Sequence, residues 1–312
     1  MIRAKLKPFL MAVLFVVFVF CNKNEVFAQD KVDYDSEAYL VDEDGELIAR
    51  YYRLSSGGYI IIDDVSDQFI EYSLDSDRLN LQRGGVYRYS ELDSEHEKHS
   101  NSSALVCDSV DYDKSLPQKE SVVGDIFNEL LSGDIIEQGN LWNETRLYSY
   151  NPDGRCGAVA ASILIRYYYD YVDRSYINNR NLIHGYSNGE QIVSFFNDNY
   201  VNGGSDYYKL WRGIKNYLRD VGLNTNVFYT QGSTGDSNVY SRIKSCTNSG
   251  IPTIVGLAAH PTYGYHWTVS TGYKTVKMKY FGIKNIVVVN DGWGNSNINV
   301  NMNYVDGCMF LR

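Results

Sequence analysis

Cys156-Gly-Ala-Val-Ala-Ala-Ser-Ile-Leu-Ile-Arg-Tyr-Tyr-Tyr-Asp170 is the stretch on which the fold turns. It is helix-compatible and mostly apolar, so it reads as a buried helix. Before it lies a loop, Trp142 to Arg155, that ends in the turn signal Asn151-Pro-Asp-Gly154. Further upstream, Val122–Leu131 carries apolar residues at 122, 123, 126, 127, 130 and 131, the spacing of a short amphipathic helix. Ile192–Asn199 and Tyr208–Val221 are further helix candidates. From Pro252 the pattern changes. Thr253–Ala258, His266–Tyr273, Val276–Tyr280 and Asn285–Asn290 are hydrophobic runs set between Gly and Asn turns, hence strands. Helices first and strands later predict an α+β domain over residues 120–312.

The chain has 312 residues, 44% hydrophobic and 21% charged, with a mean hydropathy of −0.33. These values exclude a disordered, collagenous or multi-spanning membrane protein and allow one large domain or two modest ones. A net charge of −9 leaves no basic footprint for nucleic acid. Five cysteines are too few to build a disulfide scaffold. There is no clustered His/Cys pattern for zinc, no calcium loop and no phosphate-cradling glycine motif, so neither a metal nor a cofactor is expected.

Residues 1–28 read as a secretory signal peptide. Arg3, Lys5 and Lys7 precede an apolar run from Phe9 to Cys21, and Val26-Phe27-Ala28 supplies a small residue at the cleavage point. The run is shorter than the roughly 20 residues that span a bilayer, so a membrane anchor is the weaker reading. Phe20 before Cys21 argues against a lipoprotein. The mature chain is then secreted and carries no stable anchor.

Charge divides the remainder. Residues 29–119 hold 21 acidic and 9 basic side chains, whereas 120–312 hold 16 of each. Such asymmetry marks separate modules. Within the acidic part, Glu46–Arg53, Gly58–Asp63 and Gln68–Leu74 read as short strands. From Ser90 to Glu120 the sequence is polar and contains Cys107 and Pro117, the features of an exposed, protease-sensitive linker. A solvated loop within one continuous domain is the alternative.

Cys156 follows a turn and opens a helix, where the positive helix end favours a thiolate. A small buried hydrophobe is the bland alternative. His266 begins a strand, so the sheet would hold it rigidly enough to act as a base. Val287-Val-Val-Asn-Asp-Gly-Trp-Gly294 ends another strand; Asn290 or Asp291 would accept the second imidazole N–H, and Trp293 would shield that bond. A plain β-turn is the competing reading there. His260 sits beside Pro261 and reads as solvated; His96, His99 and His184 have no ligand spacing. Cys246 and Cys308 are compatible with a disulfide or with two buried thiols.

These motifs, in this order, resemble the papain-like cysteine peptidases, particularly secreted bacterial enzymes of the streptopain type and their bacteriocin-leader-processing relatives. The likeness is carried by Cys156-Gly-Ala-Val-Ala-Ala161, Gly250-Ile-Pro-Thr-Ile-Val-Gly256, Tyr265-His-Trp-Thr-Val269 with Gly272-Tyr273, and Val289-Asn-Asp-Gly-Trp-Gly294. Gly57-Gly-Tyr-Ile-Ile-Ile-Asp63 to Glu71-Tyr-Ser73 is similar to a streptopain-type prosegment. The resemblance implies a two-lobed fold, with a helical lobe carrying the cysteine and an antiparallel β lobe carrying the histidine, preceded by a small α/β prosegment. It also implies a zymogen whose prosegment, 29–119, inhibits the domain until cleavage in the 100–140 region. Its reaction would be hydrolysis of protein or peptide substrates through a Cys156 thioester, with His266 as general acid and base. Asn290, favoured by the Trp-Gly context, or Asp291 would be the third member. In one respect the chain departs from the group: the upstream oxyanion glutamine is missing between Gln138 and Cys156, which leaves Asn143 or Asn151 as donor. Removing such a donor costs roughly 3 kcal/mol. An amidase, peptidoglycan hydrolase or acyltransferase using the same pair is the alternative chemistry, and a catalytically weak secreted binding protein is the alternative class.

Overall fold

The structure, a computed structural model, describes residues 34–312 apart from 43, 56, 76–80, 82–84, 89–119, 153, 180–181, 183–187 and 203–205. The signal-peptide reading, the linker up to residue 119 with Cys107, His96 and His99, and also His184, lie outside the described residues.

Five strands come from the acidic segment: β1 (Tyr34–Val41), β2 (Leu47–Leu54), β3 (Tyr59–Asp63), β4 (Phe69–Ser73) and β5 (Val86–Arg88). Helix α1 (Glu120–Ser132) and strand β6 (Asp134–Asn140) follow. Next come α2 (Cys156–Tyr171), α3 (Glu190–Phe196) running into a π turn, α4 (Tyr207–Asp220), β7 (Val227–Gln231) and α5 (Ser237–Asn248). The chain closes with β8 (Thr253–His260), β9 (Gly264–Met278), β10 (Gly282–Asn290), β11 (Ile298–Asn301) and β12 (Val305–Leu311).

All twelve strands of the described residues belong to one mixed sheet, ordered β5-β1-β2-β3-β4-β11-β10-β9-β8-β12-β7, with β6 also paired to β9. β1 and β5 run parallel; the other pairings are antiparallel. β9 is the spine, since its fifteen residues pair with β6, β8 and β10.

Residue alternation along the central strands feeds two cores. Ile254, Trp267, Val269, Met309 and Leu311 face α2, α3 and α4, while Val255, Leu257, Val287, Val289 and Cys308 face α5. α1 lays Ile126, Phe127 and Leu130 against Tyr52, Ile60 and Tyr72 of the acidic segment and Val276 and Ile286 of the later strands. Burial of this kind is worth about 25 cal/mol per Å² of apolar surface, so the sheet and its two helical faces hold each other in place.

The two-lobed papain-like arrangement with a separate α/β prosegment is therefore not what forms. β4 pairs directly with β11 through Asn299↔Tyr72 and Val300↔Glu71. This makes the acidic segment's strands an extension of the same sheet that carries His266, and the described part of that segment contains strands and no helix. The physical reason is the burial demand of its Tyr and Ile runs: β3 and β4 are buried on both faces, which a small free-standing meander does not achieve. α2 likewise packs straight onto β8 and β9 instead of founding its own lobe. The runs at 266–273 and 276–280, expected as two strands, are one continuous strand, and Cys246 and Cys308 are free buried thiols.

Candidate active site

Cys156 is the first residue of α2, and no side chain caps that helix start. Gly157, Ala158, Ala160 and Ala161 are all buried, and their small side chains let the helix lie close against the sheet. Cys156 itself is half-buried and opens onto a cavity of about 570 Å³, which it lines together with His266. Neither Cys246 nor Cys308 lines that cavity. Burial pushes the Cys246 thiol up to about 11 and the Cys308 thiol up to about 12, so neither supplies a nucleophile at neutral pH.

His266 sits on β9 opposite Leu257 of β8. Just beyond this pair the β8–β9 ladder is irregular, and Ala259 takes a left-handed φ of 50°. His266 is 5% exposed, and its Nε2 lies 2.8 Å from the main-chain carbonyl oxygen of Asp291. A carbonyl only accepts, so in the neutral ring Nε2 carries the proton and Nδ1 is the basic nitrogen. The ring stacks on Trp293 at 4.4 Å and on Tyr263 at 5.1 Å. Two aromatic faces thus hold the imidazole plane and keep water from the Nε2 bond.

The loop after β10 is organised by Asn290 and Asp291, both fully buried. Asn290 Nδ2 donates to Thr145 Oγ1 (3.0 Å) and to the Arg146 carbonyl (2.8 Å), while its Oδ1 accepts from Gly292 N–H (3.0 Å). Its amide ties the loop before α2 to the end of β10. Asp291 Oδ1 accepts from the Trp293 and Asn295 main-chain N–H groups, and Oδ2 accepts from Asn295 Nδ2. The acceptor presented to His266 is accordingly a main-chain oxygen, with both side chains folding the loop that aims it.

Asn151 is half-buried, and its Nδ2 lies 3.9 Å from where a Cβ on Gly292 would stand, beside the loop that holds His266. Asn143 is exposed and hydrogen-bonds the Tyr167 hydroxyl, which itself donates to the Gly250 carbonyl. Tyr167 is eleven residues along α2 from Cys156, roughly 16 Å at 1.5 Å per residue. Of the two asparagines, Asn151 is the one near the Cys156 end of the helix.

His260, expected to be solvated, is fully buried at the end of β8, with Nε2 3.4 Å from Glu71 Oε2 of β4. The sheet pairing that brings β4 against β11 is what delivers this carboxylate.

Several site residues carry no motif. Tyr207 at the start of α4 and Asp306 on β12 also line the cavity, joined by a 2.6 Å hydrogen bond from the tyrosine hydroxyl. The sequence does hold an indirect signal for them: glycine inside a strand marks a close approach. A Cβ on Gly256 would run into the Tyr207 hydroxyl, and one on Gly307 would come within 2.5 Å of it.

Among the described residues no group of His, Cys, Asp and Glu has the clustering of a metal site, and no helix is long and apolar enough to cross a membrane. No family model and no curated protein matches this chain.

Proposed function

We propose that the chain is a secreted cysteine endopeptidase made as a zymogen, with Cys156 as nucleophile and His266 as general acid and base. The observation that carries this reading is that both line one cavity while His266 Nε2 is held by a main-chain carbonyl. That bond leaves Nδ1 as the nitrogen that exchanges protons with sulfur and substrate.

In this reaction Nδ1 takes the thiol proton and Cys156 Sγ attacks the peptide carbonyl carbon. The oxyanion that forms is met by the Cys156 N–H at the helix start and by Asn151 Nδ2. Its collapse breaks the C–N bond, and the imidazolium returns its proton to the departing amine. A water molecule then loses a proton to Nδ1 and attacks the thioester, releasing the acid and the thiol. The stacked Trp293 and Tyr263 and the Asp291 carbonyl stabilise the charged ring while it carries the extra proton.

Secretion rests on the signal-like residues 1–28, and the zymogen reading rests on the acidic composition of 29–119 and the polar, cleavable sequence that ends it. The deciding experiment labels the secreted chain with an epoxide or vinyl-sulfone probe. Wild type, Cys156→Ala and His266→Ala are compared, and intact mass reads the N-terminus. Rapid labelling abolished in both variants, with a mature start between 100 and 140, is the expected result. Slow labelling indifferent to His266→Ala on an uncut chain overturns the proposal.

A further inference from the structure

Beyond Cys156 and His266 the cavity has a wall of different chemistry. Tyr207, Tyr229 and Trp267 form an aromatic corner: Tyr207 lies edge-on to Trp267 at 4.5 Å and stacked on Tyr229 at 6.1 Å. Asp306 closes that corner. β12 runs Val305↔Leu257 and Gly307↔Gly256 against β8, so Asp306 is the extra residue of a β-bulge. A bulge re-aims the side chain it frees, and here the carboxylate is turned to the cavity.

The Tyr207 hydroxyl accepts from the Gly256 N–H and donates to Asp306, fixing both groups above the two strand glycines. Burial raises the Asp306 carboxyl above its ordinary value, and the Tyr207 bond only partly offsets this. Its negative charge is thus under-compensated, which a cation relieves. The second carboxylate of the cavity, Asp206, caps α4 through Lys209 N–H and has the Lys209 ammonium at 3.9 Å, so it is already partly neutralised. No lysine or arginine lines the cavity among the described residues.

We infer that this corner is a specificity subsite for a basic side chain, lysine or arginine, of the peptide substrate. The ammonium or guanidinium meets the Asp306 carboxylate, and its stem lies against Tyr207, Tyr229 and Trp267. Aromatic faces attract cations as well as alkyl stems, so the two features select the same kind of side chain. The inference rests on the peptidase reading for its biological setting, but the subsite is a property of the cavity itself.

The test separates the two. The full-length Cys156→Ala chain, which keeps the cavity and cannot turn over, is titrated with a lysine-containing peptide amide and its norleucine isostere. Preference for lysine by about tenfold or more is expected, the scale of one cation–π contact plus one partly desolvated charge pair. Asp306→Asn keeps an acceptor for the Tyr207 hydroxyl and should collapse the ratio towards one; Asp306→Glu should restore part of it. Equal binding of the two peptides, or a ratio unchanged by Asp306→Asn, overturns the subsite. In parallel, the wild-type chain is offered the same sequences as internally quenched substrates. Selective lysine binding without any hydrolysis would sustain the subsite and sink only the peptidase reading.

Discussion

Glu71 Oε2 of β4 lies 3.4 Å from His260 Nε2 at the end of β8, and both side chains are fully buried. The Thr262 N–H donates to His260 Nδ1 at 3.3 Å, which directs the ring's proton-bearing Nε2 at the carboxylate, while the Tyr59 hydroxyl donates to Glu71 Oε1 at 2.7 Å. From His260 the contacts continue inward. Its ring is 4.8 Å from that of Tyr263, which stacks on His266 at 5.1 Å. The acidic segment therefore reaches the base through one buried carboxylate–imidazole contact and two ring contacts, although none of its described residues lines the cavity.

Removing one member of such a buried pair leaves the other without its polar partner and costs about 1–3 kcal/mol. Glu71→Ala is accordingly expected to destabilise the uncut chain by about that amount in denaturant titrations. Glu71→Ala with His260→Ala should cost less than the two single losses added together. Strict additivity would show that the pair is not coupled.

A second expectation separates main chain from side chain at residue 291. The His266 acceptor is the Asp291 carbonyl, while the carboxylate accepts the three hydrogen bonds that fold the 291–295 turn. Asp291→Ala removes three hydrogen bonds from a buried group, a loss of about 2–4 kcal/mol, and should slow labelling as the carbonyl wanders. Asp291→Asn retains an Oδ1 acceptor for Trp293 and Asn295 and should recover most of both losses. Equal damage from both variants would instead assign the carboxylate's charge a direct part in the chemistry.

Local apolar patterns in the sequence announce the helix at Cys156 and the strands at 47–54, 59–63, 69–73 and 253–260. The continuity of the sheet has no such signal, because the β4–β11 pairing joins distant segments and leaves no local signature. His260 reads as solvated for the same reason: its neighbours suggest a loop, and its buried carboxylate lies far upstream. α5 is hidden because Ser237–Asn248 is rich in Ser, Asn and Thr, poor helix formers that the Asp236 cap and tertiary packing override. β6 carries Ile135 and Ile136 outward among polar residues and shows no alternation. A main-chain carbonyl as the His266 partner has no sequence signal, since every residue has one.

Acid sensitivity has an identifiable contributor at the far end of α2. Burial raises the Asp170 carboxyl, but hydrogen bonds and charge from Arg146 and Arg166 outweigh it and hold the group below its ordinary value. A carboxyl depressed in the folded state adds stability that is present above its unfolded value, about 3.9. That contribution is lost as pH falls through the lower folded value. Asp170→Asn should therefore be less stable than wild type at pH 7 and show a smaller further loss between pH 4 and 2. The Arg146 carbonyl accepts from Asn290, so the same variant should also loosen the loop beside the site. Parallel acid-unfolding curves for the two proteins would remove Asp170 from this role.

Gly256 tests the geometry of the aromatic corner most directly. A Cβ there would collide with the Tyr207 hydroxyl and come within 2.7 Å of Asp306 Oδ1. Both belong to the hydrogen-bonded pair that closes the cavity, so neither has a free direction in which to retreat. Overpacking of this kind costs about 1–3 kcal/mol, and Gly256→Ala is expected in that range, with the lysine-over-norleucine preference reduced as Tyr207 is pushed aside. Tyr207→Phe takes away the hydroxyl and with it most of the clash. Gly256→Ala should therefore cost much less in the Tyr207→Phe background than in wild type, whereas an equal cost in both would place the strain elsewhere in β8. If the clash is relieved yet selectivity is not recovered, the hydroxyl that positions Asp306, rather than the room at Gly256, sets the preference.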